Sequence, residues 1–254
     1  MDSDSSKGVG SMNPELDELV ESLMEPLQEV VVCLSHSWGG LEQVAVNDAL
    51  DRGACGLNVR VLCLEGSPIH ENLLDRTEVT LIPLEFRPRN YFDLKMRGEV
   101  QKLIEKGVSL VHCHQTSLLG SIVPWLWSHP RVAAFASRHI MNRHDKRDLF
   151  HQAIYSRLDA LIVMSQTLKQ NVLDTHSLKE KQVQVVNLGL DFDQFDPVKV
   201  DPAHFRALWG ADAQTVVIGL VGRIDPAMRS ARHAPGLRDC AGGHARWSGG
   251  GTRR

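Results

Sequence analysis

The stretch Val30-Val31-Val32-Cys33-Leu34-Ser35-His36-Ser37-Trp38-Gly39-Gly40-Leu41 decides how this chain is read. Its opening run, Val30 to Leu34, is short and continuously apolar, without the alternation of a half-buried strand, and so describes a strand covered on both faces, as in a parallel sheet. Gly39-Gly40 breaks the run. From there Leu41, Val44, Ala45 and Ala49 recur at helical spacing until Gly53 and Gly56 stop them. The same unit of strand, break and helix then repeats. Strands are predicted at Val59 to Leu64, Val79 to Leu84, Val108 to His112, Val132 to Ala136, Ala160 to Met164 and Val183 to Val186. Helices are predicted at Asp93 to Lys106, Thr116 to Trp127, Asp145 to Arg157 and Gln166 to Thr175. Such regular alternation implies an α/β fold with a doubly wound parallel sheet.

Outward from this core the character changes. Residues 1–29 are polar and acidic and read as a flexible lead-in with at most a short helix. Residues 30–200 form the expected Rossmann-like domain, its end marked by the Asp- and Pro-rich stretch from Asp191 to Pro202. Residues 201–227 read as a linker, a short helix at Ala203 to Trp209, and an apolar run, Val216 to Val221, that opens a second domain.

With 43% hydrophobic and 23% charged residues among 254, the chain is globular, not disordered or fibrous. No apolar stretch reaches the ~18 residues needed to span a bilayer, and the acidic N-terminus is no signal peptide, so a cytoplasmic location is expected. The five cysteines lack paired metal spacing and are read as buried thiols. The net charge of −3 is uneven: residues 228–254 hold six Arg and one Asp, +5, leaving −8 for the rest. That tail has no Lys and no periodic apolar positions. It is expected to lack structure, whether it is a native basic tail or the product of a shifted reading frame.

Four segments carry candidate chemistry. Gly39 and Gly40 let a backbone approach a ligand closely at the start of a helix whose N–H groups face a phosphate; a plain glycine turn is the alternative. Val108-Ser109-Leu110-Val111-His112-Cys113-His114 ends a strand with His114 toward the crevice that doubly wound sheets keep at their carboxyl edge. No further ligands accompany the two histidines, so no metal site is expected. Ala136-Ser137-Arg138-His139 follows another strand, with Arg143, His144, Lys146 and Arg147 behind it as a basic cluster able to hold phosphate, or simply as surface charge. The fourth runs from Arg157-Leu158-Asp159 through Ser165-Gln166 to Val186-Asn187-Leu188-Gly189-Leu190-Asp191 and Phe195.

In their order and spacing these segments resemble the GT-B glycosyltransferases of the family-4 type over roughly Val30 to Ala227. The resemblance implies two Rossmann-like domains facing across a cleft and transfer of a sugar, with retention, from a nucleotide-sugar donor to an acceptor, most often in synthesis of a cell-surface, lipopolysaccharide-like glycan. It implies no metal or other cofactor. By the same resemblance His139 is the candidate catalytic residue, Gly39, Gly40 and Arg223 the donor or phosphate contacts, and His114, Arg138 and Ser165 the lining of the substrate cleft. Expected partners are the donor and a glycan or lipid-linked acceptor, with peripheral membrane contact through the apolar Leu118 to Trp127 segment and the basic cluster; nucleic acid is not among them.

The sequence departs from the family after Ala227. The motif Gly-Arg-x4-Lys-Gly begins at Gly222-Arg223, but Met228-Arg229 stand where Lys and Gly belong, so half of the clamp on the donor diphosphate is missing. The last glutamate is Glu180, so the family's Glu-x7-Glu motif is absent from the 74 residues that follow. The chain is therefore expected to be truncated or frameshifted after Ala227 and inactive alone. A non-catalytic acceptor- or partner-binding module and a GT-B-type sugar epimerase are the alternatives; the lack of G-x-G-x-x-G disfavours a nucleotide-dependent oxidoreductase.

Overall fold

A computed structural model describes residues 27–189, 195–212 and 214–217. The called lead-in up to residue 26, Arg223 and the tail at 228–254 lie outside the described residues, as does most of the Val216 to Val221 run. Its described part, Val216 and Val217, has no regular secondary structure.

Seven strands, β1 (Gln28–Val32), β2 (Asn58–Leu64), β3 (Thr80–Leu84), β4 (Leu110–Cys113), β5 (Ala133–Arg138), β6 (Ala160–Val163) and β7 (Val183–Val185), form one sheet in the order β3-β2-β1-β4-β5-β6-β7. Every pairing is parallel. Helices α1 (Gly40–Ala54), α2 (Pro68–Leu73), α3 (Leu94–Glu105), α4 (Leu119–Leu126), α5 (Leu149–Ser156) and α6 (Gln166–Thr175) lie between them.

The triple valine explains the centre. Side chains alternate across a strand, so Val30 and Val32 enter one core with α3, α4, α5 and α6, whereas Val31 enters the other with α1 and α2. Both faces of β1 are thus covered, and all three valines are at most 1% exposed. Because the chain runs from β1 outward through β2 and β3 and then returns to β4 on the other side of β1, the strand order reverses between β1 and β4. In such sheets ligands enter where this reversal opens a crevice at the carboxyl ends.

Three local differences have clear causes. Strand β1 begins at Gln28 instead of Val30, because Glu29 is fully buried against Arg52 of α1, Nη1 to Oε1 3.0 Å. Helix α5 starts at Leu149 and not at Asp145, because the Asp148 carboxylate accepts from the His151 N–H at 3.1 Å and caps it there. Cys55 is exposed, a correction to the expectation of five buried thiols, since it caps the end of α1 in solvent; Cys33, Cys63 and Cys113 are buried, and Cys240 is outside the described residues.

The first compact unit closes at Gly189. In the second, Asp201 caps the helix α7 (Pro202–Leu208), its carboxylate accepting from Ala203 N at 2.9 Å. None of the residues of α7 is buried, and Gly210, at φ +65°, turns the chain beyond it.

Candidate functional site

The carboxyl edge of the sheet collects the residues singled out above. Gly39 and Gly40 join β1 to α1, His114 follows β4, Arg138 ends β5 with His139 behind it, and Ser165 follows β6. His114 is anchored beside β1 by its N–H to the Val32 carbonyl, 3.0 Å. The imidazoles of His114 and His139 stack at the reversal point, centroids 5.7 Å apart at 22°, with His114 buried at 1% exposed and His139 half-buried.

Gly39 precedes α1 in extended geometry, and no side chain caps the helix. A Cβ placed on Gly40 would meet nothing within 4 Å, so internal packing does not require glycine there, whereas close approach of a ligand would. The loop is held from below: the Ser35 hydroxyl donates to buried Glu42 at 2.6 Å and accepts from the Ser37 N–H at 3.2 Å. Glu42 also makes this helix end mixed in sign, since an incoming phosphate would share it with a carboxylate. Ser165 is occupied as the cap of α6, accepting from Leu168 N at 3.2 Å.

Beneath the histidines lies an ionic group that the sequence pattern did not disclose. Arg52 of α1 bridges Glu29, 3.0 Å, and Asp48, 2.8 Å; Asp48 in turn stands 3.4 Å from His114 Nε2 and 3.7 Å from His112 Nδ1. His112 Nε2 meets the Ser137 hydroxyl at 2.8 Å. Burial alone would raise the Asp48 carboxyl, but the His114 contact and the Arg52 charge together hold it below its ordinary value. Burial pushes His114 down from 6.5 to about 4, with Asp48 opposing, and burial also lowers His139. Both rings are therefore neutral near pH 7, able to donate and accept hydrogen bonds, and His139 Nε2 has no protein partner.

Asp48, His112 and His114 bring ligand-type atoms within 4.8 Å of one another, the spacing of a metal site. Arg52 stands beside the same residues, with its guanidinium 2.8 Å from Asp48 and 3.4 Å from His112 Nδ1. Asp48 and Arg52 thus join α1 to the two histidines at the end of β4.

The basic cluster behind His139 is unevenly exposed. Arg143, His144 and Arg147 are exposed, Lys146 is half-buried, and Arg138 turns into the opposite layer, 8% exposed. The apolar residues called for membrane contact are core: Leu118, Leu119, Ile122, Val123 and Leu126 are at most 3% exposed, and Trp127, 47% exposed, is the one exposed large apolar residue of the segment. No described helix is long and apolar enough to cross a membrane.

The diagnostic Arg157-Leu158-Asp159 segment is a latch on the fold. Asp159 and Ala134 exchange two bonds, carboxylate from N–H at 2.8 Å and N–H to carbonyl at 2.9 Å. Arg157 donates to the carbonyls of Leu126, His129 and Val132 at 3.3, 3.2 and 2.6 Å.

Known proteins agree with this architecture. Residues 38–194, more than half of the chain, match the profile of Glycosyltransferase Family 4. A D-inositol 3-phosphate glycosyltransferase of Mycolicibacterium smegmatis is 31% identical over 98 residues, 36% of this chain and 22% of that protein. One from a Mycobacterium species is 30% identical over 41% of this chain and 24% of its own length. Among solved structures, a glycosyltransferase from Rickettsia africae superposes with a TM-score of 0.67 at 15% identity, over 85% of this chain and 58% of that one. Anabaena HepE, in complex with UDP and glucose, gives 0.50 at 14% identity, over 72% and 50%. The match thus spans under a quarter of the curated relatives' length and little more than half of the solved chains. With its parallel sheet, its reversal point between β1 and β4 and a profile match over residues 38–194, the chain belongs to Glycosyltransferase Family 4.

Proposed function

We propose that this chain supplies the acceptor-side domain of a GT-B glycosyltransferase that moves a sugar from a nucleotide-sugar donor to an acceptor hydroxyl, with retention and without a metal. The observation that carries the reading is the stacked, neutral His114–His139 pair at the reversal point, beside a helix opened by Gly39-Gly40. A neutral imidazole with a free ring nitrogen can hold a sugar hydroxyl and pass a proton without adding a charge that competes with the donor's phosphates. Arg223 is assigned to the donor diphosphate by the resemblance alone. The family relatives' names favour a small phosphorylated polyol as acceptor over a lipopolysaccharide; peripheral membrane contact would fall to the exposed Ile140, Met141 and Leu149, which flank Arg143 and Arg147, not to the buried 118–126 segment.

The test joins the chain to the donor-side domain of a family relative, offers UDP- and GDP-sugars with polyol and saccharide acceptors, and detects glycosylated product by mass spectrometry. Expected is transfer that His139→Ala lowers about 10²-fold or more. Transfer untouched by that variant removes His139 from the site. Saturable acceptor binding without transfer from any donor replaces the enzyme reading with that of an acceptor-binding module.

A further inference from the structure

On the other side of β5 from the paired histidines, the structure gathers buried hydrogen-bonding groups around a cation that no carboxylate answers. Arg138 is 8% exposed. Its guanidinium donates from Nη1 to the Thr116 hydroxyl, 3.2 Å, and from Nη2 to the Asn142 side-chain carbonyl, 2.9 Å, and its Nε–H has no partner. Among the described residues no carboxylate oxygen lies within 4.0 Å of it. The Tyr155 hydroxyl, in a side chain 2% exposed, lies beside Thr116 and Arg138 without a well-formed hydrogen bond to either. His176, also 2% exposed, packs its ring edge-on against Tyr155 at 4.6 Å and leaves Nε2 unpartnered.

The surroundings add positive charge. Lys146 is tied by its backbone N–H to the Thr175 carbonyl, 2.8 Å, and lies in the field of Arg138. The acid that acts on Lys146 is Asp148, which is at the surface and joined to His151 at 2.5 Å. His176 is pushed down to about 4 by burial and by Arg138 and Lys146, so it stays neutral and can donate without adding to the charge.

Native structures pair buried charges and satisfy buried polar atoms. A neutral partner would complete the hydroxyl and the imidazole but leave the guanidinium uncompensated, whereas a tetrahedral oxyanion completes all of them at once. Thr116, Asn142 and Lys146 are half-buried and mark the way in from the carboxyl edge. We propose that Arg138, Tyr155, His176 and Thr116 form a binding site for a phosphate group. The site stands on these contacts and not on the glycosyl-transfer reading, so either can fail alone.

The test is calorimetric titration of the 254-residue chain at low ionic strength with three probes, inorganic phosphate, glycerol 3-phosphate and UDP. Expected is saturable binding that Arg138→Met weakens about tenfold or more and Tyr155→Phe, which removes only the hydroxyl, about threefold. Tightest binding of inorganic phosphate identifies a free ion as occupant, of glycerol 3-phosphate a phosphomonoester, and of UDP a nucleotide diphosphate. Circular dichroism confirms that each variant is folded, and Arg138→Lys with Tyr155→Phe carries the comparison if Arg138→Met is not. No saturable binding of any probe, or binding that folded Arg138 and Tyr155 variants leave unchanged, overturns the proposal.

Discussion

Arg157 shows what a single residue can hold. Its guanidinium closes the turn between α4 and β5 by binding three backbone carbonyls, while Asp159 locks the start of β6 to Ala134. Charged hydrogen bonds of this kind are worth about 1.5–3 kcal/mol each when their loss leaves the partner unsatisfied. Arg157→Met keeps most of the aliphatic stem and removes the donors, so it should lower unfolding stability by about 2–4 kcal/mol in urea titration; a change below ~0.5 kcal/mol would show that solvent replaces the bonds. In the sequence this segment stood out by its family-like spacing, yet nothing in the spacing said that it serves the fold and not the chemistry. The reverse holds for Asp48 and Arg52. Both read as ordinary polar positions on an amphipathic helix, because their role depends on His112 and His114 arriving from a strand far along the chain. His114 and His139 were legible because the carboxyl ends of strands in a doubly wound sheet have a fixed destination.

At the scale of elements, α1 shows how a contact can outweigh propensity. Gly53 lies in its last turn, where exchange for Ala ordinarily stabilises a helix by about 1 kcal/mol. A Cβ there, however, would collide with the backbone carbonyl of Glu78, just ahead of β3, and backbone cannot swing aside as a long side chain can. Gly53→Ala should therefore destabilise the protein, by about 1–3 kcal/mol on the scale of overpacked sites, and chemical denaturation gives the sign directly. A more stable variant would mean that the α1–β3 approach relaxes freely. The sequence did announce Gly53 as a helix stop, for the wrong physical reason: the helix runs on to Ala54, and the glycine is needed for close packing. The seven strands of the sheet were legible because most of them are short apolar runs, whereas Val216 and Val217 of the run predicted to open a second domain have no regular structure. Helix α2 was not, since Pro68–Leu73 offers only one and a half turns, too few for a period to emerge beside the Ser67 cap that starts it. Sheet order lay beyond periodicity altogether, since the reversal between β1 and β4 is fixed by which faces the helices cover.

Across the whole molecule, two buried histidines on different layers make stability depend on pH in a defined window. His114 sits under the carboxyl edge beside α1, and His176 follows α6 beside Tyr155; both are pushed by burial from 6.5 to about 4. A folded-state value below the unfolded one means that the unfolded chain binds these protons first. Stability from each ring is thus complete above about pH 6.5 and is lost as pH falls toward 4. At 1.36 kcal/mol per unit, each ring accounts for about 2 kcal/mol between pH 7 and pH 5, before most paired carboxylates begin to titrate. Asp48, also held below its ordinary value, loses its contribution only at lower pH, so the window isolates the histidines. The expected outcome is an unfolding free energy about 4 kcal/mol smaller at pH 5 than at pH 7, with the denaturant slope unchanged. His176→Gln should remove about half of that difference, because a glutamine cannot take up the proton, and phosphate bound at Arg138 should raise the stability at both pH values. Equal stability at pH 5 and pH 7 would show that both rings open to water before they protonate, and that the layers above and below the sheet are looser than their side-chain burial implies.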